Sequence, residues 1–128
     1  MELLIREISR HFRDRHHFSY KTLAAAFHQA TSARDFVRVY ETMVELLTWQ
    51  VQNYPSSLHP KFSAVDSKYA PTVLARYMAC NQIARVAGNA KTLDAQLLES
   101  NIPDFAQYRQ AKQKQRDYFE TLHRSGLQ

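Results

Sequence analysis

Six histidines and twelve carboxylates are the first places to look for chemistry in this chain. Asp14-Arg-His-His17 and Glu120-Thr-Leu-His123 both read acid-x-x-His. On a helix that spacing puts a carboxylate and an imidazole one turn apart, as di-iron helical bundles require. Such a centre also needs both motifs facing the bundle interior, with two further glutamates. Asp14 to His17 falls at the expected end of the first helix, and Glu120 lies off the apolar face of the last. Scattered surface histidines are the simpler reading, and no metal or other cofactor is expected. Neither Cys-x-x-Cys nor His-Glu-x-x-His occurs, so the usual zinc spacings are missing as well. Cys80, the single cysteine, has neither a histidine nor an acid at i±3 or i±4. It reads as a buried thiol on an apolar helix face, not as a nucleophile. These residue patterns point away from an enzyme.

Binding chemistry has better material. Trp49 falls in the polar arc of its helix, beside Arg38, Thr42 and Glu45 and away from the apolar stripe. A tryptophan so placed either anchors a partner chain or a second copy, as interface hot spots do, or is covered by the loop that follows. That loop carries Leu58, Phe62 and Val65, which must be buried somewhere. Trp49, Arg38, Thr42 and Glu45 are therefore the candidate protein-partner surface.

Basic side chains form two stripes. Arg6, Arg10 and Arg13 line the first helix, with Arg15, His16 and His17 directly after them. Arg109, Lys112 and Arg116 line the last helix, together with His123. Arginine on a rigid helix can fork onto phosphate oxygens, and a row can track a nucleic-acid backbone. Glu2, Glu7, Asp14, Asp117 and Glu120 interrupt both rows, as on an ordinary solvated face. The six basic residues are the candidate polyanion site. Residues 19–40 also resemble a helix-turn-helix, with Thr31-Ser32 as the turn. The usual turn glycine is missing, and the second helix is long and half apolar.

The elements that must position these residues follow from a shortage. Two glycines, Gly88 and Gly126, stand where a chain of 128 residues would ordinarily carry about nine. Tight hairpins and phosphate-cradling loops need glycine for positive φ and close backbone approach. Helices joined by short polar connections remain. The net charge of +5 is a mild bias toward acidic partners. No apolar run approaches the roughly 20 residues of a membrane-crossing helix, so no membrane insertion is expected. Met1-Glu-Leu-Leu-Ile-Arg-Glu turns charged too soon for a signal peptide, and one cysteine suits a reducing compartment; a cytoplasmic location is expected.

Leu4, Ile5, Ile8 and Phe12 share one face of a helix over roughly 2–14. Ser19 caps a second, with Tyr20, Leu23, Phe27 and Ala30 at helical spacing. Ser32-Ala-Arg-Asp35 resembles a capping box and opens a third helix, which Pro55 stops near Asn53. Its arc from Phe36 to Val51 is broad enough to meet more than one neighbour. Pro71 suits the first turn of a fourth helix, apolar almost all round and ending at Gly88. A short helix covers 92–100. Asp104 caps the last, whose face of Phe105, Tyr108, Ala111, Tyr118, Phe119 and Leu122 should dock on the bundle.

The expectation is one all-α domain over residues 1–128, a compact orthogonal or up-down bundle of five to six helices. Its expected work is binding rather than catalysis. The leading reading is a protein–protein module (adaptor, chaperone or regulator) acting as a homodimer or with a partner chain. The alternative is a small basic nucleic-acid-binding protein that uses its arginine-lined helix faces.

Overall fold

The computed structural model describes residues 1–54, 71–89, 99–102 and 104–126. Five helices follow in order: α1 (Glu2–Arg15), α2 (Tyr20–Gln29), α3 (Ala33–Asn53), α4 (Pro71–Asn89) and α5 (Phe105–Arg124). Glu99 to Asn101 add a helical turn, and no strand occurs among the described residues. The fold is all-α. The expected loop after Pro55 and residues 92–98 of the expected short helix lie outside the described residues.

Local signals set most of the boundaries. The Ser19 hydroxyl accepts from the Thr22 N–H at 3.4 Å and starts α2. Ser32 Oγ accepts from the Asp35 N–H at 3.2 Å, and the Asp35 carboxylate accepts from the Thr31 N–H at 3.4 Å. This is the capping box read from the sequence, with its return bond moved back one residue. α3 ends at Asn53, two residues before Pro55, and α4 begins on Pro71. Gly88 does not end α4, which continues to Asn89. α1 ends on His16 at φ 58°, a left-handed cap made without glycine.

The most extensive packing joins α3 to α4, while α1 and α2 lie against α3 and α2 also reaches α4. Phe12, Leu23, Phe27, Val39, Met43, Ile83, Val86 and Ile102 are fully buried between them. Ala75, Ala79 and Cys80 are buried too, and their small side chains let neighbouring backbones come close to α4. α4 is nevertheless not buried all round, since Val73, part of its apolar circumference, is exposed. Among the described residues no helix is long and apolar enough to cross a membrane.

Candidate functional site

The largest departure from the expected core is α5. Phe105 and Tyr108 are buried, with Tyr108 OH donating to Asn81 Oδ1 at 2.8 Å. Ala111 is already exposed, Tyr118 and Phe119 are 61% and 58% exposed, and Leu122 is only partly buried. The apolar face therefore continues past the bundle, and only its first two turns dock. Periodicity identifies a face but not the length of neighbour available to cover it. Tyr118 and Phe119 meet each other at 5.7 Å between ring centroids, on a helix whose other apolar residues beyond Arg109 are Ala111 and Leu122.

A groove of about 680 Å³ runs along the flank of α3. Val37, Val44, Thr48 and Trp49 line it from α3 together with the acidic Glu41 and Glu45, and Thr72 and Arg76 line it from α4. Asp104, at the start of α5, closes it. Trp49 is half-buried, not free in the polar arc as its wheel position implies. His16, the left-handed cap of α1, meets it edge-on at 5.6 Å, and Tyr54 packs on it at 5.2 Å. Gln50 Nε2 donates to the His16 carbonyl at 3.2 Å and fixes that cap to α3. The loop expected to cover Trp49 lies outside the described residues.

The four residues of the expected partner surface divide. Trp49 and Glu45 line the groove together. Arg38 instead pairs with Glu2 of α1 at 2.6 Å, and Thr42 Oγ1 donates to the Arg38 carbonyl at 2.8 Å within its own helix.

Within the groove's lining lies a polar cluster that the sequence did not reveal. Tyr40 OH donates to Asp104 Oδ2 at 2.6 Å, and Arg76 Nε lies 3.8 Å from the same oxygen. Asp104 thus occupies the N-cap position of α5 but makes no side-chain capping bond there; its carboxylate ties α3 and α4 to the start of α5. Burial first, then the hydrogen bond to Asp104, pushes the Tyr40 phenol well above its ordinary value. Burial and the Asp104 carboxylate push the Cys80 thiol up to about 12, only partly offset by its hydrogen bond with Tyr40. A thiol held neutral in this way is a poor nucleophile at neutral pH. The arrangement braces three helices.

The basic stripes also part company. Arg109 pairs with Glu99 at 2.5 Å, Lys112 lies 5.9 Å from the ring centroids of both Tyr77 and Tyr108, and Arg116 donates to Gln113 at 3.0 Å. Arg6, Arg10 and Arg13 make no ion pair among the described residues. They line an open concavity of about 430 Å³ with Ser9 and Asp14.

The other motifs are not assembled into sites. Asp14, His17, Glu120 and His123 are exposed near the ends of α1 and α5, and no three metal-ligating side chains converge among the described residues. The second helix of the expected helix-turn-helix is α3, which is packed against α1, α2 and α4. Its broad apolar face serves the core and does not lie open for a DNA groove. The chain matches no protein-family model, no curated protein and no solved structure.

Proposed function

We propose that this protein is a non-enzymatic protein–protein interaction module that holds its partner on the overhanging face of α5. The observation that carries this reading is the exposure of Tyr118 and Phe119, 61% and 58%, on the same face that buries Phe105 and Tyr108. Adjacent large aromatics are costly to leave in water and are enriched where interfaces concentrate their energy. With Gln115 and Leu122 they fall at i, i+3, i+4 and i+7, the register by which a helix enters a groove. The Trp49 groove is a second candidate contact element on the same protomer. A buried neutral thiol suits a reducing compartment, and the proposed working location is the cytoplasm.

A photo-crosslinking side chain at position 119 tests this directly, with Gln110 on the polar face as the matched control. Discrete protein adducts from position 119 and few from position 110 are expected. Equal yields from the two positions would overturn the reading.

One observation favours a second reading, in which a polyanion binds α1. Arg6, Arg10 and Arg13 are unpaired among the described residues and share one concavity, whereas the α5 stripe is engaged internally. On duplex DNA, log affinity against log salt should then slope by about −0.9 per neutralised phosphate. Arg10→Ala should flatten that slope by about one unit, and Arg109→Ala should leave it unchanged. No binding at low salt removes this alternative.

A further inference from the structure

We infer that the occupant of the α3 groove is α5 of a second copy of this chain, exchanged reciprocally in a two-fold dimer. This rests on the proposed interaction role of α5 and names its partner. Three properties of the two surfaces match.

The first is length. The groove is lined on α3 from Val37 to Gln52, and the overhanging part of α5 runs from Gln113 to Arg124. At 1.5 Å per residue these are about 22 Å and about 17 Å long, so the overhang fits within the groove.

The second is charge. The groove carries Glu41, Glu45 and Asp104 against Arg76 alone, and Arg76 already faces Asp104 at 3.8 Å. Beyond Arg109 and Lys112, which are engaged within the protomer, the overhanging helix carries Lys114, Arg116 and Arg124 against Asp117 and Glu120. A basic helix laid on an acidic groove is attracted. Two α5 overhangs laid on each other would bring Lys114 and Arg116 onto a surface of the same sign, which repels. The same sign argument disfavours the groove as a site for an acidic partner.

The third is apolar content. Tyr118, Phe119 and Leu122 need a surface to cover them, and Val37, Val44 and Trp49 offer one inside the groove. A central aromatic cluster inside a charged rim is the usual anatomy of a specific interface.

Topology then closes the assembly. Asp104 lines the groove and is also the N-cap residue of α5, so the helix starts at the groove it matches. When two copies exchange helices, each groove is filled once and no unpaired surface is left to propagate a chain. A single helix in a groove is a small contact, but reciprocal exchange doubles it.

Sedimentation of the full chain across micromolar to submillimolar concentrations should show a monomer–dimer equilibrium. Phe119→Asp should raise the dissociation constant by about tenfold or more, the loss expected at a central aromatic anchor. Glu41→Lys with Glu45→Lys reverses the groove, and Lys114→Glu with Arg116→Glu reverses the helix. Each double variant alone should remain monomeric where the parent chain dimerises. Mixed together they should associate, because each basic element then meets an acidic one. All four sites are solvent-exposed, and circular dichroism confirms that each variant is folded before it is scored. A monomeric parent chain, a dimer indifferent to the reversals, or a mixture that stays monomeric would overturn the exchange. If the parent chain is monomeric while position 119 still crosslinks another protein, the exchange fails and the interaction role stands.

Discussion

Two tyrosines on one face of α5 provide the sharpest test of how this helix sits. Tyr108 is 8% exposed and Tyr118 is 61% exposed, although helical periodicity assigns them to the same apolar stripe. An aromatic side chain buries about 200 Å² at most, so Tyr108 removes roughly 180 Å² from water; at about 25 cal/mol per Å² this is about 4–5 kcal/mol. A compact denatured state trims that to about 3–4 kcal/mol. Tyr108→Ala also strips Asn81 Oδ1 of a 2.8 Å hydrogen bond, which adds about 1 kcal/mol. The expected loss is therefore about 4–5 kcal/mol in total. Tyr118 touches Phe119 on its own helix and little else that is described. Alanine is the better helix former, so Tyr118→Ala should lie within about 0.5 kcal/mol of the parent chain. Urea unfolding followed by circular dichroism measures both, at submicromolar concentration so that self-association adds no stability by mass action. Losses that agree within about 1 kcal/mol would refute the reasoning, because α5 would then be docked along its whole face.

Three further perturbations probe the core and the polar brace. Leu47, 3% exposed on α3, should lose about 2–5 kcal/mol on truncation to alanine, against less than about 0.5 kcal/mol for exposed Arg13→Ala; equal urea midpoints would displace α3 from the core. Tyr40→Phe deletes the 2.6 Å bond to Asp104, a charge-assisted contact, and should cost about 1.5–3 kcal/mol in the same melts; a neutral outcome would mean that Arg76 alone holds the carboxylate. Cys80 should resist a thiol-reactive disulfide reagent at pH 8 until the chain is unfolded, since its thiol is pushed up to about 12 by burial and by Asp104. A folded value above the ordinary 9.0 means that its stabilising contribution is complete below pH 9 and is lost as pH rises toward 12. Tyr108, raised from 10.0 to about 12 chiefly by burial, loses its contribution over pH 10 to 12. In Cys80→Ala the alkaline fall in urea midpoint should therefore begin about one pH unit later than in the parent chain.

The helix boundaries were legible because their signals are local. Ser19 and Ser32 cap the helices that follow them, Pro55 stands just past the end of α3, and Pro71 opens α4. Each effect acts within one turn, so no knowledge of the neighbours is needed. Burial is different, because it depends on what is across from a face. The stripe from Phe105 to Leu122 is continuous on paper, yet the bundle covers only its first part. Val73 shows the same limit on α4, where an apolar residue among apolar neighbours faces outward.

The candidate site was legible only in part, for the same reason. Trp49 stood out as an aromatic in a polar arc, and it does line the groove with Glu45. What lies against it is His16, carried there by a helix cap at φ 58° that no glycine announces. Scarcity of glycine pointed to helices, and the described residues form no strand, but it could not show that a histidine would take one left-handed position. Asp104 is harder still. Its place before an apolar run marks a helix start, and nothing in that pattern distinguishes a carboxylate that caps its own helix from one that binds a tyrosine 64 positions earlier. The groove itself is made by α3, the first turns of α4 and that one carboxylate, three pieces that only the packing of the bundle brings together. A basic overhanging helix and an acidic groove therefore appear in the sequence as unrelated charges. They become complementary surfaces only once the fold has placed Asp104 at the junction between them.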